Sequence, residues 1–441
     1  MRVRGGDPLR REAAGEYLRG ALWALPTVAV VLTLIAGSAL ALVDIGPDSP
    51  LEPLVFQGTA DDARSLLIGI ASTMVTVIAL VLGLTVVALQ LASTQYSPRL
   101  LRNFLRDRVN QIVLSVFVAT FTYSTAGLYT VGVSAGQRTS SFPRLAVTGA
   151  LVLLFASLVM LVFFVHHLVH SIQIDEIMTM VEKNTLHVIE RDLPTLGITA
   201  DPLPDPPVWA VPLPAHRSGY VQALHPDALL TTAVSRDVIV SVTAMVGDHL
   251  VAGSPLVWLW RPSPEQPPPH PTEFEHVVRE AVRIGFERTM EQDAAFGVRQ
   301  LADIASKALS PAINDPYTAV QALQHIAVVL AELSHRPLGN QMLRDPAGAP
   351  RVAIPGRDFA YYVDLACGQI RRYGRSEPRV MLALLRILRS TGRFCADDDT
   401  RAVLAQQVRL VLADAEAAIV QPADLAPVQQ DAERVLREVS G

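Results

Sequence analysis

Four long stretches of this chain carry no charged side chain, and they set the reading of everything that follows. They run from Gly20 to Val43, Ser65 to Pro98, Asn110 to Gln137 and Leu145 to Val165. A bilayer core takes about 20 apolar residues as one helix, so each stretch is long enough to span. A single one of them would pass for a buried core helix; four in the first part of the chain point to a membrane domain. The expected spans are about 20–43, 65–93, 110–134 and 145–168. The first is too long, and lacks the small-residue cleavage site, for a removable signal peptide, and is expected to be retained.

Arginines orient these spans. Arg2, Arg4, Arg10, Arg11 and Arg19 precede the first, and Arg99, Arg102, Arg106 and Arg108 follow the second. The intervening loop holds Asp44, Asp48, Glu52, Asp61 and Asp62 against a single basic residue, Arg64. The positive-inside rule then puts both termini, and everything after His170, in the cytoplasm. The expected location is the cell membrane.

Beyond the spans the period of the apolar positions changes twice. Residues 171–200 form a helical connector, with Ile172, Ile177, Val181, Leu186 and Ile189 at helical spacing. A proline-rich stretch from Pro202 to Pro214 reads as a linker. Residues 211–260 then show short β-branched runs separated by Gly247, Asp248 and Gly253, the pattern of strands and tight turns. The run from Val246 to Leu256 resembles half of a lipoyl- or biotinyl-type barrel. No lysine occurs from Val211 to Trp260, so no cofactor is attached there, and a small barrel-sandwich-like β-module is expected. Residues 272–441 read as a helical cytoplasmic domain, with loops near Arg336–Arg357 and Phe394–Asp398. The expected fold is therefore mainly α: a four-helix transmembrane domain over residues 1–170, the connector, the β-module and an α-helical C-terminal part.

Composition adds little. Half of the 441 residues are apolar and the net charge is −5, which gives no sign of nucleic-acid binding. Cys367 and Cys395 fall in the cytoplasmic region, where thiols stay reduced. There is no glycine-rich phosphate loop, nucleophile elbow or metal-ligand quartet. The chain is not expected to be an enzyme, and no catalytic residue, metal or cofactor is assigned.

The second span is the most informative. Steps of three and four residues collect Gly69, Ser72, Thr76, Ala79, Gly83, Val86, Gln90 and Ser93 on one face, all but Val86 small or polar. Such a stripe lets membrane helices approach closely, or it lines a water-filled pathway at an oligomer axis. Gln90 favours the pathway, because an amide in lipid needs a partner or water. Gly69, Ser72, Thr76, Gly83, Gln90 and Ser93 are the pore-lining candidates. Arg99, Arg102 and Arg106 share the next helical face. They either sit among anionic headgroups or form a cationic vestibule.

Three further features have milder readings. The third span is rich in hydroxyls (Ser115, Thr120, Thr122, Tyr123, Ser124, Thr125, Tyr129, Thr130) that can bond to the backbone one turn earlier. His166 and His170, one turn apart at the end of the fourth span, fit interfacial packing or pH sensing. Asp303, Lys307, Ser310, Asn314 and Asp315 make a helix–turn–helix corner, with Asp315 as cap and Pro316 in the first helical position.

Two segments carry a family resemblance. One is Met74–Tyr123, with Thr94-Gln95-Tyr96-Ser97-Pro98-Arg99 and Phe104-Leu105-Arg106-Asp107-Arg108. The other is Ala308-Leu309-Ser310-Pro311-Ala312-Ile313-Asn314-Asp315-Pro316. Both resemble a bacterial family of predicted membrane proteins, domain of unknown function 2254, over nearly the whole chain. The resemblance implies four spans and a cytoplasmic domain and brings no activity or ligand. The expected function is a homo-oligomeric ion channel or pore lined by the second span. The alternative is a membrane-anchored scaffold or sensor whose cytoplasmic domain binds a partner.

Overall fold

The computed structural model describes residues 23–43, 52–95, 108–131, 142–171, 173–193, 203–395 and 397–440. The chain divides into two compact units, Met1–Glu176 and Ile177–Gly441.

The first unit holds four helices long and apolar enough to cross a bilayer: α1 (Ala24–Ala41), α2 (Ala60–Gln95), α3 (Arg108–Thr130) and α4 (Arg144–Ser171). α3 is the hub and packs against each of the other three. Its core face includes Val113, Phe117 and Tyr123, which meet Leu67 and Met74 of α2 and Val147, Ala150 and Phe164 of α4. Some of the α3 hydroxyls bond one turn back as expected, while the buried Ser124 hydroxyl has no hydrogen-bond partner among the described residues. Ser115 and Thr125 donate to carbonyls one turn back, at 2.6 and 2.8 Å. Thr120 also reaches Ser157 of α4 at 2.9 Å, and the Tyr123 hydroxyl donates to the Ala146 carbonyl at 2.8 Å. Bonds between helices in lipid cannot be exchanged for water, so these two fix the α3–α4 register.

The division falls within α5 (Ile174–Asp192), whose part in the second unit buries Met178, Val181, Thr185, Val188 and Ile189. Strands β1 (Val211–Pro214), β2 (Gly219–Leu224), β3 (Ile239–Val242), β4 (His249–Leu250) and β5 (Pro255–Trp260) follow, with helix α6 (Pro226–Ser235) between β2 and β3. Helix α7 (Thr272–Ala281) leads directly into β6 (Val282–Gly285). Helices α8 (Ala294–Ala308) and α9 (Pro316–Leu333), strands β7 (Gln341–Arg344) and β8 (Pro350–Ile354), and helices α10 (Phe359–Gly374), α11 (Pro378–Gly392), α12 (Asp398–Ala418) and α13 (Pro422–Ser440) complete the chain.

The strands form two sheets, ordered β1-β5-β3-β8-β7 and β4-β2-β6. One apolar core, including Val221, Leu229, Val240, Leu259, Phe274, Val278, Ile284 and Val352, joins both sheets to α6 and α7. The sheets thus reach past residue 260. They recruit β6, β7 and β8 from the segment expected to be helical, and β7 and β8 occupy the expected loop near Arg336–Arg357. The local reason is the turn Asp345-Pro346-Ala347-Gly348. The Asp345 carboxylate accepts from the Ala347 and Ala349 amides at 3.0 and 2.9 Å, and Gly348 takes a φ of 85°. Asp, Pro and Gly in those places suit a type I turn.

Aspartates start four of the helices of the second unit. Asp293, Asp315, Asp358 and Asp397 cap α8, α9, α10 and α12, each accepting the amide three residues on. At the Ser310–Pro316 corner, Asn314 takes a φ of 50° and Asp315 also accepts the Thr318 hydroxyl at 2.6 Å. These Thr318 bonds hold the Asp315 carboxyl below its usual range. A lowered folded pKa adds stability above the unfolded value of about 4, lost as pH falls through the folded one. Asp315→Ala is therefore expected to cost about 1 kcal/mol at pH 7 and to bring the two proteins' melting temperatures closer together in acid.

Candidate functional site: the outward face of the second span

Helix α2 opens with a capping box: Thr59 and Asp62 bond reciprocally, with Thr59 donating at 2.9 and 2.7 Å and its hydroxyl accepting the Asp62 amide at 3.3 Å. The helix has 36 residues, about 54 Å at 1.5 Å per residue, well beyond a hydrocarbon core of about 30 Å. Ala63, Leu67, Ile70, Met74, Val81 and Ala88 are buried against the bundle. They repeat by three and four, and the small-polar stripe repeats two residues out of step. Two residues on a helix are about 200° of rotation, so the stripe lies nearly opposite the packed face. Gly69, Ser72, Thr76, Ala79, Gly83, Val86 and Gln90 are all exposed.

The glycines separate into two kinds. In the bundle, an added Cβ at Gly37 would stand 3.2 Å from the Tyr123 ring, at Gly127 3.2 Å from Leu67, and at Gly149 2.5 Å from the Tyr123 hydroxyl. Those glycines make room for side chains of their own protomer. At Gly69 and Gly83 an added Cβ would meet nothing within 4 Å. Close helix packing inside the protomer does not account for them. On the stripe Thr76 donates to the Ser72 carbonyl at 3.4 Å, and beside it Thr73 donates to the Gly69 carbonyl at 2.8 Å. Gln90 has no hydrogen-bond partner among the described residues. The side chain of Ser93 and all of Arg99, Arg102 and Arg106 lie outside the described residues.

The His166 and His170 rings lie 4.2 Å apart between centroids with their planes tilted by 45°, and His170 Nδ1 sits 2.8 Å from the His166 carbonyl oxygen. Both are exposed. Among the described residues no group of three or more His, Cys, Asp or Glu side chains is placed to hold a metal. The corner residue Asp303 lies 3.5 Å from Arg299, one turn earlier on α8.

One cluster has no counterpart in the sequence reading. Asp293, fully buried, accepts Arg288 Nε at 2.7 Å while its other oxygen caps the Phe296 amide at 3.0 Å. Arg357 stands 3.9 Å from the same carboxylate, donates to Asp248 at 3.1 Å and to the Val246 carbonyl at 2.6 Å. The guanidiniums of Arg288 and Arg357 each sit 5.2 Å from a ring, Phe296 and Tyr361 respectively. Burial pushes the adjacent Tyr362 phenol well above its usual value. Charges balance, two arginines against two aspartates, so the cluster joins the Gly247-Asp248 turn to the starts of α8 and α10. Asp293 before Ala294-Ala295-Phe296 is a readable cap; its ion pairs with Arg288 and Arg357, and the further pair of Arg357 with Asp248, are not.

Both cysteines are buried. Burial raises the Cys367 thiol to about 12 and that of Cys395 to about 11. Thiolate is the reactive form, so neither should react with a maleimide at pH 7 until the protein unfolds. Rapid labelling of the native protein would contradict this placement.

The comparisons agree with this architecture. The chain is 42% identical over 433 residues to Uncharacterized protein Rv1290c of Mycobacterium tuberculosis and, equally, to Uncharacterized protein Mb1321c of Mycobacterium bovis. The aligned region covers 98% of this chain and 83% of each relative. No solved structure matches it. Residues 19–390, carrying the four spans and most of the second unit, match the family described as predicted membrane protein. The chain is therefore a member of the predicted membrane protein family DUF2254.

Proposed function

We propose that the protein forms a homo-oligomeric ion channel in the cell membrane, with the stripe of α2 lining the pathway and both termini in the cytoplasm. The observation that supports this most is the pair of outward glycines, Gly69 and Gly83, whose small size serves no neighbour in the protomer. A lipid-facing helix has no use for small and polar residues on its exposed face, whereas an axis shared by several copies does. Gln90 then meets water, and Arg99, Arg102 and Arg106, which follow in the sequence, are the candidates for a cationic vestibule at the cytoplasmic mouth.

The test is ion flux through the purified protein in liposomes over several salts and pH values, which also identifies the ion. Gly83→Leu narrows and dries the pathway, so flux should fall on the order of tenfold or more with assembly intact. Val75→Leu, exposed but off the stripe, should leave flux unchanged. Equal flux through Gly83→Leu and the unaltered protein would end the pore assignment. A membrane-anchored scaffold is the second reading, supported by Ile313 and Tyr317, which the Ser310–Pro316 corner presents at 43% and 71% exposure.

A further inference from the structure

We propose that a groove between α8 and α10 binds a small zwitterion, with an anionic group held by Arg299 and Arg372 and an ammonium facing Asp364. The groove encloses about 200 Å³ and is lined by Arg299 from α8 and by Tyr361, Asp364, Leu365, Gln369 and Arg372 from α10. The opposite face of α10, including Tyr362, Val363, Cys367 and Ile370, is buried, so these polar side chains are what the helix offers to solvent.

Its charges are available. Arg371 pairs with Asp414, but its neighbour Arg372 has no ion-pair or hydrogen-bond partner among the described residues. Asp364 likewise has no salt bridge among them. Among the described residues Arg299 has only the 3.5 Å contact with Asp303, and its side chain is 39% exposed, a loose pair that a better anion can displace. An unpaired carboxylate and an unpaired guanidinium thus share one groove without reaching each other.

The spacing selects the ligand. Asp364 and Arg372 are about 12 Å apart along the helix axis, and an arginine on a helix leans toward the N-terminus. The two charged ends form no ion pair with each other, which leaves the groove to a molecule with separated charges. Gly368 helps place the acid: the Asp364 Oδ1 lies 2.6 Å from where a Cβ would stand at that position, so only glycine lets the carboxylate fold back against α10. Asp364 opposes a plain anion and rewards one that carries an ammonium. Tyr361 closes one side of the groove, its ring held beneath the Arg357 guanidinium.

The experiment is calorimetric titration of the full-length protein in detergent with O-phosphoethanolamine, β-alanine, inorganic phosphate and ethylamine. Saturable binding of one zwitterion, about tenfold tighter than phosphate or ethylamine, is expected; which zwitterion binds tells phosphate from carboxylate. Arg372→Gln should weaken it about tenfold, and Asp364→Asn should erase the preference over phosphate. Both positions are exposed, so melting temperatures should hold. Phosphatidylethanolamine vesicles that compete with the soluble probe make a lipid headgroup the occupant; no competition makes it a free metabolite. Binding no tighter than phosphate, or binding indifferent to both substitutions, overturns the assignment. The site does not depend on the channel reading, and its titration is independent of flux.

Discussion

Replacing Asp293 with alanine is expected to lower the stability of the second unit by about 3–5 kcal/mol. Two losses combine. The Phe296 amide loses its cap, worth about 1 kcal/mol. The larger loss is electrostatic, because Arg288 and Arg357 stay in place beside an empty position. The Arg357 side chain is only 9% exposed, so water cannot replace the missing carboxylate. Asp248 still pairs with Arg357, which keeps the penalty below that of a fully orphaned charge. The melting temperature should fall on the order of 10 °C. Asp293→Asn retains an acceptor for the Phe296 amide and removes the charge, so it should fall between the two. A drop of less than about 2 °C for the alanine variant would show that the cluster is not what joins the β-module turn to α8 and α10.

The second large effect is expected at Gly297. Gly-to-Ala inside a helix ordinarily stabilises by roughly 0.5–1 kcal/mol. Here the new methyl would stand 1.9 Å from the Thr185 hydroxyl oxygen and 2.9 Å from its Cβ. That hydroxyl is fixed by its bond to the Val181 carbonyl at 2.6 Å, and both residues are buried in tightly packed helices. Overpacking of this kind costs about 1–3 kcal/mol, so Gly297→Ala should destabilise despite the better helix propensity. Thr185→Ala removes the closest atom but not the Cβ. The double variant should therefore recover part of the loss, and a thermal-unfolding cycle should show non-additivity. Strict additivity would mean that α5 and α8 can separate at no cost.

The four spans were legible because absence of charge over that length has few explanations. Helix starts were legible where an aspartate precedes an apolar run, as at Asp315-Pro316. The orientation of the α2 stripe was not. Ala63, Leu67, Ile70 and Met74 repeat with the same period as Gly69, Ser72 and Thr76, and periodicity does not say which of two opposite faces meets α3. Small residues fit either close packing or a water-filled pathway, and an added Cβ at Gly69 or Gly83 would meet no neighbour within the protomer. The β7–β8 hairpin was readable from Asp345-Pro346-Ala347-Gly348, but strands this short among helices give a weak signal. The Asp293 cluster and the groove beside Arg372 depend on contacts across long stretches of sequence, which no local pattern encodes.

The parallel pairing of β3 with β8 bears on how the protein is made. Val240 aligns with Val352, roughly 110 residues later, and a chain grows at about 5–20 residues per second. For on the order of ten seconds, Val240 and Ser241 have emerged with one backbone edge open. β5 covers the other edge early, through Val257–Trp260. An open edge in an apolar strand invites pairing with another nascent chain, so a ribosome stalled before Ile354 should release a product that aggregates.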